Sequence, residues 1–419
     1  MRLMLVEFFR GALRRNERSM MFPFLKGLAA EHGFETLWLC YGGDLAHREG
    51  AAVGSTLFAA MPEDDLRSLA RRLKRFRPTH VVTNDVLGPE AERLLAAKRL
   101  VMPLAGERPG GPAAGGRADD FARCGWFLDW LGIKDPAASR RYLVEEARPD
   151  YAAVLANKAA RSAKPQITVV SGVLCAYRRT LDGNPYFEGV DIGTGHKGCS
   201  FCTCATLPPV TSEKADIMPL LEAQLRAIAK TAGRTGRNKG RYEFLDIRAF
   251  WKFDELFRLV LRLKTPPSIF LFNPRIDDIL HQRARIERVL PALAKAGHEV
   301  RMLSMGVENF SEAENERFNK RIRLGQVDEF LALTKRWAGA YPGVFRPFKA
   351  GNSPAELGFI LFTPWTTLAD LRVNLEAAAA RGFPARGYWL YSILLLEPAA
   401  PISRLAEKDG AITDAFPDP

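Results

Sequence analysis

Gly195-His196-Lys197-Gly198-Cys199-Ser200-Phe201-Cys202-Thr203-Cys204 places three cysteines within six residues of a glycine-flanked loop. Thiolates this close converge on one inorganic centre, and thiolates are the ligands of iron–sulfur clusters and of structural zinc. A cube-shaped cluster takes four ligands, so Cys199, Cys202 and Cys204 would leave one iron open to a substrate or cofactor. A zinc knuckle would instead draw on His196 as its fourth ligand. Burial of three unliganded thiols is the bland alternative. The remaining cysteines, Cys40, Cys124 and Cys175, are scattered and read as small buried hydrophobes. Six cysteines in 419 residues make no disulfide framework, which implies a reducing, cytoplasmic setting.

Around this loop, from about residue 165 onward, strand and helix patterns alternate. Strands are expected at Ile167–Val170, Val190–Gly193, Tyr242–Asp246, Ser268–Phe272, Val300–Met305, Leu357–Leu361 and Tyr388–Leu395. Helices are expected between them, for example Asp254–Lys264 and the Ala-rich Asp370–Arg381. Repeated β-α units over this length predict a full or partial (β/α) barrel, with its active site at the C-terminal strand ends. Asp246 and Arg275 fall at such ends, and so does Glu308 in Gly306-Val307-Glu308.

Upstream, a second alternating series opens the chain. Leu3-Met4-Leu5-Val6, Thr36–Leu39, His80–Thr83 and Leu100–Met102 read as strands, with helices at Met20–His32, around Leu66–Leu73 and at Pro89–Arg99. This predicts a doubly wound parallel sheet. No G-x-G-x-x-G follows the first strand, so the dinucleotide fingerprint is missing. Gly106–Gly116 (GERPGGPAAGG) is linker-like, and the aromatic-rich helix Phe121–Leu131 reads as packing between domains. The expected division is residues 1–140 with the linker, a bridging segment 141–164, a barrel 165–411 and a tail 412–419.

Composition bounds the rest. With 47% hydrophobic and 26% charged residues the chain is an ordinary globular protein. The excess of 60 Lys and Arg over 48 Asp and Glu permits attraction to anions but does not by itself define a nucleic-acid binder. The basic stretch 234–241 could grip phosphate or be a solvated loop before a strand, and the second is the favoured reading. No apolar run approaches the length of a membrane span, and the N-terminal apolar run, followed by arginines, is ordered unlike a secretory signal.

The cysteine loop resembles that of the radical S-adenosylmethionine (SAM) enzymes, whose usual C-x3-C-x2-C follows the first barrel strand. Here Lys197-Gly198-Cys199 opens a contracted C-x2-C-x-C. A second alignment makes Cys199 and Cys202 the family's last two cysteines and puts the first at Gly195, which cannot be a ligand. Further segments resemble the family in order and approximate spacing. They are Leu303–Asn309 with Phe318-Asn319-Lys320, like its G-V-E-S strand and later N-K, then Gly358–Thr367, and Leu396–Pro401 with Ala406 and Gly410. The resemblance implies a [4Fe–4S] cluster on Cys199, Cys202 and Cys204. Its open iron would bind SAM, which one electron cleaves to methionine and a 5′-deoxyadenosyl radical. It also implies Glu308 as a polar SAM contact, with a salt-bridged carboxylate as the alternative, and an electron donor such as flavodoxin or ferredoxin. Asp246 and Arg275, at strand ends where barrel ligands collect, are further candidates for cofactor contact, with a structural ion pair as the alternative reading of each.

A doubly wound domain placed before the barrel resembles the cobalamin-binding subclass, with Gly27-Leu28-Ala29-Ala30 echoing its first helix. That implies cobalamin in the N-terminal domain and methyl transfer or rearrangement on a small-molecule substrate. The alternative is a cobalamin-free member whose N-terminal domain carries substrate or a partner. RNA methylthiotransferases need three additional N-terminal cysteines, and only Cys40 and Cys124 stand there. A zinc-stabilised nucleic-acid binder would leave the long β-α series without a purpose.

Overall fold

Leu3, Met4, Leu5 and Val6 are all fully buried, and their alternate side chains enter two different cores. Leu3 and Leu5 face Phe22, Leu25 and Phe127, whereas Met4 and Val6 face Leu69, Tyr41 and Val81. A strand covered on both faces must be apolar at every position, which is why this run lacks the alternation of a half-exposed strand. We describe the protein from a computed structural model covering residues 1–10, 21–46, 58–60, 63–83, 98–101, 123–152, 166–172, 175, 177–192, 196–202, 210–212, 214–235, 240–244, 246–303, 305–345, 357–383, 390, 392–397 and 400–412.

The chain divides into two compact units, one built on Met1–Gly172 and Pro208–Glu243, the other on Val173–Leu207 and Phe244–Ala415. In the first unit, β1 (Arg2–Arg10), β2 (Glu35–Ala46), β3 (Phe58–Ala60), β4 (His80–Thr83) and β5 (Lys98–Val101) form one sheet of order β3-β2-β1-β4-β5. Pairings are parallel except for β2 with β3. The helices Phe22–Glu31 and Glu63–Phe76 lie against its opposite faces, giving the doubly wound arrangement expected. Tyr41-Gly42-Gly43 lies inside β2, paired with Phe8–Arg10. The strand therefore runs well past the apolar stretch Thr36–Leu39 that announces it.

The aromatic helix Cys124–Leu131 packs in the first unit itself. Phe127 and Trp130 are stacked at 5.9 Å and join Phe24, Leu28 and Leu143 in one core. The same core accepts a close approach at Gly27, where a Cβ would stand 1.9 Å from the carbonyl oxygen of Arg148. Alanine is the better helix former by about 1 kcal/mol, yet Gly27→Ala should destabilise the protein by about 1–3 kcal/mol through overpacking. Chemical denaturation checks this, and a stabilised variant would show that the approach is looser than described.

β6 (Gln166–Val169) belongs to the first unit, and β7 (Arg241–Phe244) straddles the boundary between the two. The second unit carries two parallel pairs, β8 (Ile269–Phe272) with β9 (Glu299–Met302), and β10 (Met305–Glu308) with β11 (Leu357–Phe359). The single strand expected over Val300–Met305 is thus two strands, and the second carries Gly306-Val307-Glu308. Helices Phe253–Arg262, Arg283–Ala296, Leu324–Ala340 and Leu368–Ala380 alternate with them. Phe244 stacks on Phe272 at 4.8 Å, and Phe250, Phe253 and Phe257 close around Phe272.

Two expected strands differ. Val190–Ile192 forms none, because Val190 and Ile192 instead pack irregularly on Leu181, Phe187 and Leu405. Of Tyr388–Leu395, the described residues make one isolated bridge, Ile393 to Phe362. The linker Gly106–Gly116 and most of the expected helix Pro89–Arg99 lie outside the described residues, and the last two of the latter, Lys98 and Arg99, open β5. No helix among the described residues is long and apolar enough to cross a membrane.

Candidate functional site

The cysteine loop is tied down from three sides. Gly198 N donates to Arg179 O at 2.8 Å, and Gly198 O accepts from Asn319 Nδ2 at 2.7 Å. Ser200 N and Oγ donate to Phe318 O and Arg317 O at 3.0 and 2.7 Å, while Ser200 O accepts from Ile402 N at 2.9 Å. Asn319 also donates to Arg179 O and Thr180 O, so one buried amide clips two loop segments together. Its φ of 54° is a left-handed conformation that asparagine tolerates better than most residues. Gly198, at φ 111°, occupies a region essentially closed to residues with a Cβ.

Within that loop, Cys202 N donates to Cys199 O at 3.2 Å, a tight turn between the two thiol-bearing residues. Cys199 is buried, and burial pushes its thiol up to about 11 against the pull of Lys320 and Arg275. Arg275 Nη1 lies 3.7 Å from Cys199 Sγ. Cys204 and Gly195 lie outside the described residues, so both alignments of the motif stand as read. His196 is buried, its Nε2 is 3.4 Å from Cys199 O, and burial lowers its pKa. Among the described residues no group of three His, Cys, Asp or Glu side chains is gathered for a metal ion.

Glu308 ends β10 at φ 63°, a left-handed conformation costing a non-glycine residue on the order of 1–3 kcal/mol. The bend lays its carboxylate over bare backbone. A Cβ on Gly306 would fall 1.8 Å from Glu308 Oε1 and 2.6 Å from Lys320 Nζ, so any side chain there would push the tips of this pair aside. Oε1 accepts from Lys320 Nζ at 2.8 Å in a buried ion pair, and Oε2 accepts no hydrogen bond from the described residues. Burial works against the Lys320 charge, but Glu308 and Cys199 outweigh it and hold its pKa above the usual value.

Arg275 caps the helix Ile276–His281 and is held by Asp277 through Nε and Nη2, at 2.9 and 3.1 Å. Nη2 also donates to Lys320 O at 2.7 Å, and the guanidinium lies 3.7 Å from the centre of the Tyr177 ring. Asp246 is buried at the N-cap of the helix Ile247–Trp251, just after β7. The structure thus gathers Cys199, Arg275, Lys320 and Glu308 through direct contacts, Arg275 reaching Cys199 Sγ and Lys320 O, and Lys320 reaching Glu308. The sequence signals no role for Tyr177, and for Asn319 and Lys320 it offers their place as a pair in the family-like segment.

No protein-family model matches the chain, and no curated protein matches it. Among solved structures its fold is similar to the cobalamin-dependent S-adenosylmethionine radical enzyme OxsB. With aqua-cobalamin bound, OxsB matches at TM-score 0.55 and 12% identity over 98% of this chain and 61% of that one. With aqua-cobalamin and S-adenosylmethionine bound it matches at 0.50 and 13%, over 90% and 51%. The apo, selenomethionine-labelled form matches at 0.52 and 13%, over 98% and 61%. The chain spans about three fifths of the length of OxsB. It therefore shares the fold of a cobalamin-dependent radical SAM enzyme, the class that its cysteine loop and companion segments resemble.

Proposed function

We propose that the protein is a radical SAM enzyme in which Cys199, Cys202 and Cys204 hold a [4Fe–4S] cluster. The observation that carries the reading is the convergence of a glycine-turned cysteine loop with Arg275 and the buried Glu308–Lys320 pair. The donor set fits such a group. Cys199 and Cys202 share one turn, and the cations acting on Cys199 would offset the negative charge of clustered thiolates. When bound, the cluster would supply the electron that cleaves SAM. The chain's own residues position and enclose: Asn319 fixes the loop, and the open Oε2 of Glu308 suits the ammonium of SAM. A full or partial (β/α) barrel is the architecture this reading requires.

The first unit is proposed to bind cobalamin. Its sheet reverses direction of strand order between β1 and β4, and open parallel sheets take ligands beyond the carboxyl ends at such a switch point. Glu7, close to that end of β1, is fully buried and accepts from Trp38 Nε1 at 3.0 Å, and Thr83 at the end of β4 is also buried. The reaction would be a cobalamin-dependent methyl transfer or rearrangement on a small molecule.

Two measurements test these readings. Anaerobically reconstituted protein should carry about four irons per chain and release 5′-deoxyadenosine or S-adenosylhomocysteine from SAM under reducing conditions. Stoichiometric zinc without iron would overturn the cluster. Hydroxocobalamin should bind the full-length, cluster-loaded protein in equilibrium dialysis; no binding would leave the cluster standing and remove cobalamin.

A further inference from the structure

Arg275 is more tightly fixed than a residue waiting for a ligand. Its side chain is 11% exposed, its Nε and Nη2 are engaged by Asp277 and by Lys320 O, and its flat face rests on Tyr177. Tyr177 is itself held, donating from Oη to Asn319 O at 2.7 Å. The arm left pointing into the site is Nη1, and it is directed at Cys199 Sγ. A guanidinium braced in this way cannot swing to follow a substrate, but it can hold one N–H on one sulfur.

We propose that Arg275 is a positioning residue that donates to the Cys199 sulfur and raises the reduction potential of the cluster held there. The inference rests on the cluster reading above. An added electron spreads onto the thiolate sulfurs, so an N–H donor and a positive charge stabilise the reduced cluster more than the oxidised one. Asp277 opposes this effect, because its carboxylate offsets part of the guanidinium charge. The two residues should therefore act on the potential in opposite directions.

The test is a mediated potentiometric titration of reconstituted full-length protein, with the reduced cluster followed by electron paramagnetic resonance and iron counted per chain. At a fixed potential, Arg275→Gln should lower the ratio of reduced to oxidised cluster about tenfold, a one-electron shift of about 59 mV. Arg275→Lys should recover part of that loss. Asp277→Asn should raise the ratio instead, a change of sign that mere loosening of the fold would not produce. Unchanged midpoints at full iron content, or midpoints that fall in both Arg275→Gln and Asp277→Asn, would overturn the proposal. Loss of iron from the Gln and Lys variants alike would overturn it too, by making Arg275 a structural prop. Wild-type protein that assembles no cluster would sink the underlying reading, and this inference with it.

Discussion

Cys199→Ala and Cys202→Ala should each abolish the visible absorption of the reconstituted protein and bring SAM cleavage to background. The loss should exceed the roughly 10–100-fold that removal of an outer-shell partner costs a metal site, because a thiolate ligand itself is gone. Cys199 is the more informative of the two. It is buried and its Sγ lies 3.7 Å from Arg275 Nη1, so alanine there removes the sulfur toward which the guanidinium is directed. Cys204→Ala separates the two motif alignments: a cluster that survives in that variant favours the one in which Cys199 and Cys202 are the final pair. Iron and sulfide counts with the visible spectrum read all three. Retention of a full cluster in Cys199→Ala would overturn the assignment.

Lys320→Met should be the most destabilising single change in the site outside the cysteines. It leaves the Glu308 carboxylate buried without its partner, a loss of about 3–5 kcal/mol. Adding Glu308→Gln should restore most of that, because two neutral side chains no longer carry an uncompensated charge. Urea denaturation of the four proteins of this cycle measures the coupling, and additive effects would show that the pair contributes little. The pH dependence has a definite sign. The folded-state pKa of Lys320 lies above its ordinary 10.5, so the stability it contributes is whole below pH 10.5 and fades as pH rises through the higher value. Glu308→Gln alone should weaken SAM binding by about 1–3 kcal/mol with the cluster intact, measured by equilibrium binding.

What the sequence disclosed well was local. The apolar run Leu3–Val6 reads as a strand, and β1 contains it; the structure adds that it is buried on both faces. The break between β9 and β10 was hidden, since Val300–Met305 is apolar enough to read as one strand. Val190–Ile192 showed the opposite failure, because apolar residues at that spacing satisfied a local hydrophobic cluster without entering a sheet. Cys199, Cys202 and Glu308 were visible because thiol spacing and the Gly306-Val307-Glu308 segment are short-range features.

The sequence by itself determined the chemistry available: a cysteine trio on a glycine-flanked loop, parallel α/β architecture, and a carboxylate at a strand end. Only the tertiary structure decided which charges meet it. Arg275 reaches Cys199 across 76 positions of sequence, and Asn319 reaches Gly198 across 121. Patterns of hydropathy and spacing report what a residue requires of its near neighbours, through helix and strand periodicity and backbone turns. Ion pairs and hydrogen bonds between distant segments depend on how the chain returns on itself. That Lys320 pairs with Glu308 and feels the charge of Cys199 therefore emerges only once β10 and the segment after it are folded back onto the cysteine loop.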